Sequence, residues 1–193
     1  MEIKDIYKSF DGKKVLNGFC AEFKQGESYC IMGKSGCGKT TLLNIITGII
    51  KADSGEVITE PNTKLSVVFQ EDRLCERLSA VANVRIVCNK NCSVNSIVSS
   101  LEAVGLTKAD IKKPVSELSG GMRRRTAIVR AVMADSSVII LDEPFKGLDA
   151  ETKEKTIRYI LDSTKGRTLI IITHDEEDTV FLNGNIIYMN SSE

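Results

Sequence analysis

The 193-residue sequence predicts an α/β fold with a mainly parallel sheet at its core, an N-terminal antiparallel β subdomain and an inserted helical subdomain. Three observations predict it. Residues 137–141 and 168–173 are largely apolar runs of strand length, the pattern of parallel strands covered on both faces. Helical periodicity lies between such runs, notably at residues 152–162, and this alternation builds parallel sheets. From about residue 72 to 133 no buried-strand pattern is visible and helical spacing takes over.

The elements follow in chain order. Ile3, Ile6 and Tyr7, then residues 20–23, read as short strands around the Asp11-Gly12 turn. Residues 28–32 form a buried strand running into a glycine-rich segment. A helix is predicted over residues 41–50, with Leu42, Leu43, Ile45, Ile46 and Ile49 spread around most of its circumference, which buries it on several sides. Residues 65–69 are another β-rich run. Val94, Ile97, Val98, Leu101 and Val104 fit a helix that Gly105 stops, and residues 186–189 add a final strand. Residues 1–193 read as one domain, with the helical part at about 72–133 inserted into the α/β core.

Composition narrows the function. An apolar fraction of 42% suffices for a sizeable core. A formal net charge of zero speaks against a nucleic-acid partner, which calls for a basic face. Arg123, Arg124 and Arg125 accordingly read as a solvated face or internal ion pairs. No apolar stretch approaches the roughly 20 residues that cross a bilayer, and the N-terminus lacks an apolar leader, so a soluble, cytoplasmic chain is expected. Six cysteines with no C-x-x-C pair, one C-x₃-C at Cys88 and Cys92, and a single histidine predict reduced thiols rather than a zinc site.

The chemistry concentrates in four places. Residues 33–41 read Gly-Lys-Ser-Gly-Cys-Gly-Lys-Thr-Thr and fit the phosphate-binding pattern G-x-x-x-x-G-K-[ST]. Gly33, Gly36 and Gly38 let backbone N–H groups close around phosphate oxygens, with Lys34, Ser35 and Cys37 between them. Lys39 reaches the β- and γ-phosphates and the Thr40 hydroxyl takes Mg²⁺. A helix starting near Lys39, through Thr41, aims its positive end at the anion. These features predict the P-loop NTPase core. Cys37 is either a small filler or a thiol activated by the helix end and Lys39.

Residues 138–143 are an apolar strand ending in Asp142 and Glu143. A strand that delivers acids at its C-terminal end puts them beside the phosphate loop, so Asp142 is a candidate Mg²⁺ ligand and Glu143 a candidate for polarising water. Gln70, after the run at 65–69, can reach the metal or that water. His174, after the run ending at Thr173, is placed for a γ-phosphate contact.

The order of residues 33–41, Gln70, Leu118-Ser119-Gly120-Gly121-Met122, Asp142-Glu143, Gly147-Leu148-Asp149 and His174 resembles the nucleotide-binding subunit of an ABC transporter over nearly the whole chain. That resemblance implies an ATPase using ATP and Mg²⁺, with Glu143, His174 and Gln70 catalytic and Thr40, Gln70 and Asp142 holding the metal. It also implies that Ser119, Gly120 and Gly121 contact the ATP of a partner subunit, so that two copies sandwich two nucleotides. Asp149 resembles the acid that crosses this interface, and Phe10, ranked ahead of Tyr7, resembles the aromatic that stacks on adenine. Met122 stands where the family most often has Gln.

Resemblance extends to the transporter type. Asp142-Glu143-Pro144-Phe145, Val81-Ala82-Asn83-Val84 and Lys113-Pro114 before Glu117-Leu118-Ser119 are similar to bacterial importers of the nitrate, sulfonate and taurine group. This implies docking on a separate membrane permease through residues 70–78, a location on the inner face of the membrane, and an extracytoplasmic substrate-binding protein as a further partner. The alternatives are an exporter subunit or a non-transport ATPase such as that of iron–sulfur cluster assembly. With few residues after His174, no C-terminal regulatory domain is expected.

Overall fold

The computed structural model describes residues 1–180 and 184–190. The N-terminal part is a three-stranded antiparallel sheet, β1 (Glu2–Phe10), β2 (Lys13–Glu22) and β4 (Ser54–Ile58), in the order β2-β1-β4. Asp11 and Gly12 both have positive φ, 49° and 79°, which matches the two-residue hairpin turn the sequence signals. The strands are much longer than the short ones predicted, because irregularities after Ile3 and Lys8 let the ladder continue past breaks in the apolar alternation. β4 was not foreseen. Its residues are exposed except the half-buried Val57, so it carries no hydrophobic signal of its own.

The second sheet has five parallel strands in the order β5-β6-β7-β3-β8: β3 (Ser28–Met32), β5 (Leu65–Val68), β6 (Val138–Asp142), β7 (Thr168–Thr173) and β8 (Asn185–Tyr188). The apolar runs divide by alternation. Ile31, Ile140, Ile170 and Ile172 face one hydrophobic cluster, with helix α1 (Lys39–Ile46) and the antiparallel sheet. Cys30, Ile139, Leu141, Leu169 and Ile171 face the other, beneath α3 (Val94–Ala103), α4 (Gly120–Met133) and α5 (Ala150–Ser163). Burial on both faces is why these strands read as continuous apolar runs.

Helix α1 ends four residues before the predicted limit. The Thr47 hydroxyl bonds back to the Leu43 and Asn44 carbonyls, and Gly48 takes a φ of 72°, closing the helix as a glycine C-cap does. Ile49, expected on a buried helix face, is 51% exposed. Between β5 and β6 the chain forms helix α2 (Ala80–Arg85), α3, 3₁₀ turns at Asp110–Lys112 and Val115–Glu117, and α4; one isolated bridge joins Ser79 to Pro114. Helix α3 ends at Ala103 and Gly105 has a φ of 81°, as the sequence predicts. Two further pieces complete the described chain, with α5 spanning the predicted 152–162 and α6 (Glu177–Val180) leading toward β8.

Candidate functional site

Four neighbouring strands end on one side of the parallel sheet and carry the predicted residues there. β3 leads into residues 33–38, β5 into Gln70, β6 ends in Asp142 before Glu143, and β7 is followed by His174. Together they line a cavity of about 360 Å³ that includes Ser35, Gly36, Gly38, Lys39, Thr40, Thr41, Gln70, Asp142, Glu143 and His174. It also takes in Val15 and Lys146, which the sequence did not single out.

The loop's shape follows from its glycines. A Cβ on Gly33 would lie 2.5 Å from the Cys37 sulfur and 2.7 Å from the Met189 carbonyl oxygen, so only glycine fits. Gly38 has a φ of 102° and lies against the Val15 carbonyl, which lets α1 begin at Lys39 without a side-chain cap. The α1 N-terminus thus keeps free N–H groups turned toward the cavity, a disposition suited to phosphate. Lys39 is 8% exposed and its ammonium donates to the Gly33 and Lys34 carbonyls at 2.5 and 3.1 Å, which stretches it along the loop. Cys37 is 3% exposed and packs into the apolar cluster behind the loop. This supports the filler reading and argues against an accessible thiol.

Asp142 is buried at 2% exposure and its Oδ2 has no hydrogen-bond partner. Burial, followed by repulsion from Glu143, pushes its carboxyl up to about 6, against the pull of Arg124 and Lys39. A buried acceptor without a donor is costly, and it shares the cavity with the Thr40 hydroxyl and the Gln70 amide. This set of oxygen donors fits a hard divalent cation. Among the described residues no three His, Cys, Asp or Glu side chains converge as a metal cluster, and all six cysteines are free thiols.

Glu143 has a φ of 50°, a conformation that costs on the order of 1 kcal/mol or more for a non-glycine residue. Its N–H donates to the Ile172 carbonyl at 2.8 Å, bridging β6 and β7. Its Oε1 lies 2.6 Å from His174 Nδ1. That contact joins the residues that follow two neighbouring strands and could not be read from spacing. Thr173, just before His174, donates to the buried Asp178 carboxylate at 2.7 Å, and Asp178 pairs with Lys153 of α5 at 2.6 Å.

The remaining candidates lie outside this cavity. Phe10 ends β1 with 46% exposure, its ring 5.3 Å from the Lys8 ammonium. Ser119 is exposed and N-caps α4, its hydroxyl accepting from the Met122 N–H. Gly120 and Gly121 form the first turn of that helix, with Gly121 beside Leu148. Asp149 N-caps α5 through the Thr152 N–H at 2.9 Å, a bond that holds its carboxyl below the usual range. The Leu118-Ser119-Gly120-Gly121 signature, which opens the signature helix α4, therefore does not line the cavity of the phosphate loop.

The arginine run resolves into three distinct environments. Arg123 pairs with Glu76 on the surface. Arg125 is buried, donating to the Val104 and Gly121 carbonyls. Arg124, also buried, reaches under the site to the Asp142 and Glu143 carbonyls. Of the two readings of the run, a surface ion pair fits Arg123 and an internal ion pair fits Arg124, which meets Asp72 at 3.0 Å, while Arg125, buried against carbonyls, fits neither. The signal was present: Arg124 stands three and four residues before Ala127 and Ile128, on the buried stripe of α4.

Known proteins resemble this chain in sequence and fold. A family model described as ABC transporter matches residues 16–146. The spermidine/putrescine import ATP-binding protein PotA of Spiroplasma citri is 35% identical over 98% of this chain and 59% of its own length. The taurine import ATP-binding protein TauB of Roseobacter denitrificans is 38% identical over 93% of this chain and 71% of its own. The chain thus spans little more than half the length of PotA. Among solved structures, the ATP-binding cassette MJ0796, a dimer in a post-hydrolysis state bound to ADP and Pi, superposes with a TM-score of 0.84 at 28% identity, covering 98% of this chain and 94% of that one. With the phosphate loop, strand acids and signature helix on this fold, the chain belongs to the ABC transporter family.

Proposed function

We propose that this chain is an ATP-binding and ATP-hydrolysing subunit that couples ATP-driven dimer closure to solute import through a separate membrane permease. The observation that carries this reading is the cavity in which the phosphate loop meets Asp142 and the Glu143–His174 pair at 2.6 Å. The loop amides and Lys39 bind the β- and γ-phosphates, and Thr40, Gln70 and Asp142 hold Mg²⁺. The ion supplies neutralisation of phosphate charge. Glu143 orients the attacking water and accepts its proton, and His174 fixes the Glu143 carboxylate through Nδ1 while facing the γ-phosphate. Phe10 stacks on adenine.

Ser119, Gly120 and Gly121 act on a second copy, and Asp149 crosses between copies. Their separation from the phosphate loop supports this, because an exposed helix N-terminus offers an anion site that its own cavity does not use. Residues 70–78 dock the permease; Leu78 among them is an exposed apolar side chain, as are Ile86 and Val87 in the helical part that follows. Residues 1–193 act as one nucleotide-binding unit on the inner face of the membrane, and an extracytoplasmic binding protein delivers the solute. Relatives named as import ATP-binding proteins support the direction. Among the described residues no helix is long and apolar enough to cross a membrane.

The test is Glu143→Gln. It should keep ATP binding and nearly abolish phosphate release. Hydrolysis at the unaltered rate removes Glu143 from the reaction and the reading with it.

A further inference from the structure

We infer that Arg124 is a positioning residue that makes the geometry of Glu143 depend on the placement of the signature helix and of residues 69–72; this rests on the proposed hydrolytic role of Glu143. One guanidinium serves four acceptors. Nη1 donates to the Phe69 carbonyl at 2.5 Å and to Asp72 Oδ1 at 3.0 Å, while Nη2 donates to the Asp142 carbonyl at 2.5 Å and the Glu143 carbonyl at 3.1 Å. The side chain is 7% exposed, so these bonds form away from competing water.

Two of the acceptors bracket the backbone unit in which Glu143 holds its φ of 50°. A strained turn persists only where its surroundings fix it, and a rigid planar fork held at two consecutive carbonyls does so. The other two acceptors belong to the segment after β5 that leads to the proposed permease contact. Arg130, further along α4, donates to the Asp72 and Arg73 carbonyls at 2.9 and 2.8 Å and fastens that same segment to the helix. Ser119, the residue proposed to contact the second copy's nucleotide, caps the N-terminus of α4. Any shift of α4 or of residues 69–72 therefore moves the donor that sets the Glu143 turn.

The experiment uses the full chain with Arg124→Lys and Asp72→Asn, measuring phosphate release, ATP affinity and thermal melting for each. An ammonium keeps the charge but cannot span acceptors on both sides. Arg124→Lys should therefore lose about tenfold in kcat, with KM for ATP and ATP affinity within about threefold of the parent. Asp72→Asn keeps an accepting oxygen without its charge and should fall between the parent and Arg124→Lys. A kcat within twofold of the parent for Arg124→Lys overturns the inference. A parallel fall in kcat, affinity and melting temperature in both variants also overturns it, since that marks a packing residue. Glu143→Gln run alongside separates the two claims. If it hydrolyses normally, the role of Glu143 fails; if it is silent while Arg124→Lys is unaffected, only the positioning role fails.

Discussion

Replacing Asp142 by Asn should stabilise the nucleotide-free chain while removing a group the proposed site needs. Asp142 is buried, its Oδ2 lacks a donor, and its carboxyl is pushed from the ordinary 3.8 up to about 6, chiefly by burial. Folding therefore holds a proton on Asp142 that the unfolded chain gives up between pH 4 and 6. Its contribution is fully present below about pH 4 and is lost as pH rises through about 6. At 1.36 kcal/mol per pH unit, the gap corresponds to about 3 kcal/mol of folded-state cost at pH 7.5. Asn approximates the protonated acid in size and carries no charge. Urea unfolding without nucleotide or divalent cation should find the two proteins about equally stable at pH 4, with Asp142→Asn ahead by on the order of 1–3 kcal/mol at pH 7.5. Taking the difference between variants cancels the carboxylates Asp53, Asp110, Asp135 and Asp149, whose lowered ranges act in the opposite sense on both proteins. A difference that does not change with pH, or a less stable Asn variant at pH 7.5, would show that the buried Asp142 carboxylate carries no such cost.

Two other outcomes follow from burial. Cys37 should resist a thiol reagent in the folded chain and react only on unfolding, whereas Cys20 and Cys75, both exposed, should label at once; mass spectrometry of modified peptides separates them. Ile86→Asp, at a position 60% exposed, should leave phosphate release by the isolated chain within about twofold and its stability within roughly 0.5 kcal/mol, while abolishing co-purification with the permease. Retained co-purification would move the docking surface elsewhere.

The parts legible in the sequence are those whose signal is local. Residues 138–142 and 168–173 bury both faces, so an unbroken apolar run sufficed to find β6 and β7. The phosphate loop was legible because its glycines answer steric demands within a few residues, Gly33 against Cys37 above all. What escaped was set by tertiary contact. β4 is an edge strand held by β1 rather than by its own apolar face. The end of α1 turned on the Thr47 hydroxyl and Gly48, which interrupt an apolar pattern that itself continues through Ile49 and Ile50. The Glu143–His174 contact joins residues 31 apart, and Arg124 was obscured by its charged neighbours although its helical position pointed inward.

On the proposed function, the phosphate loop is half of a site that Ser119 and Gly121 of a second copy complete. Sedimentation velocity of Glu143→Gln, in which bound ATP should persist, tests it most directly. The chain should be a monomer without nucleotide and a dimer at saturating ATP with Mg²⁺, and should lose that dimer when Ser119→Glu sets a carboxylate against the partner's phosphates. A chain that stays monomeric with ATP bound, or a dimer indifferent to both ATP and Ser119→Glu, would contradict it.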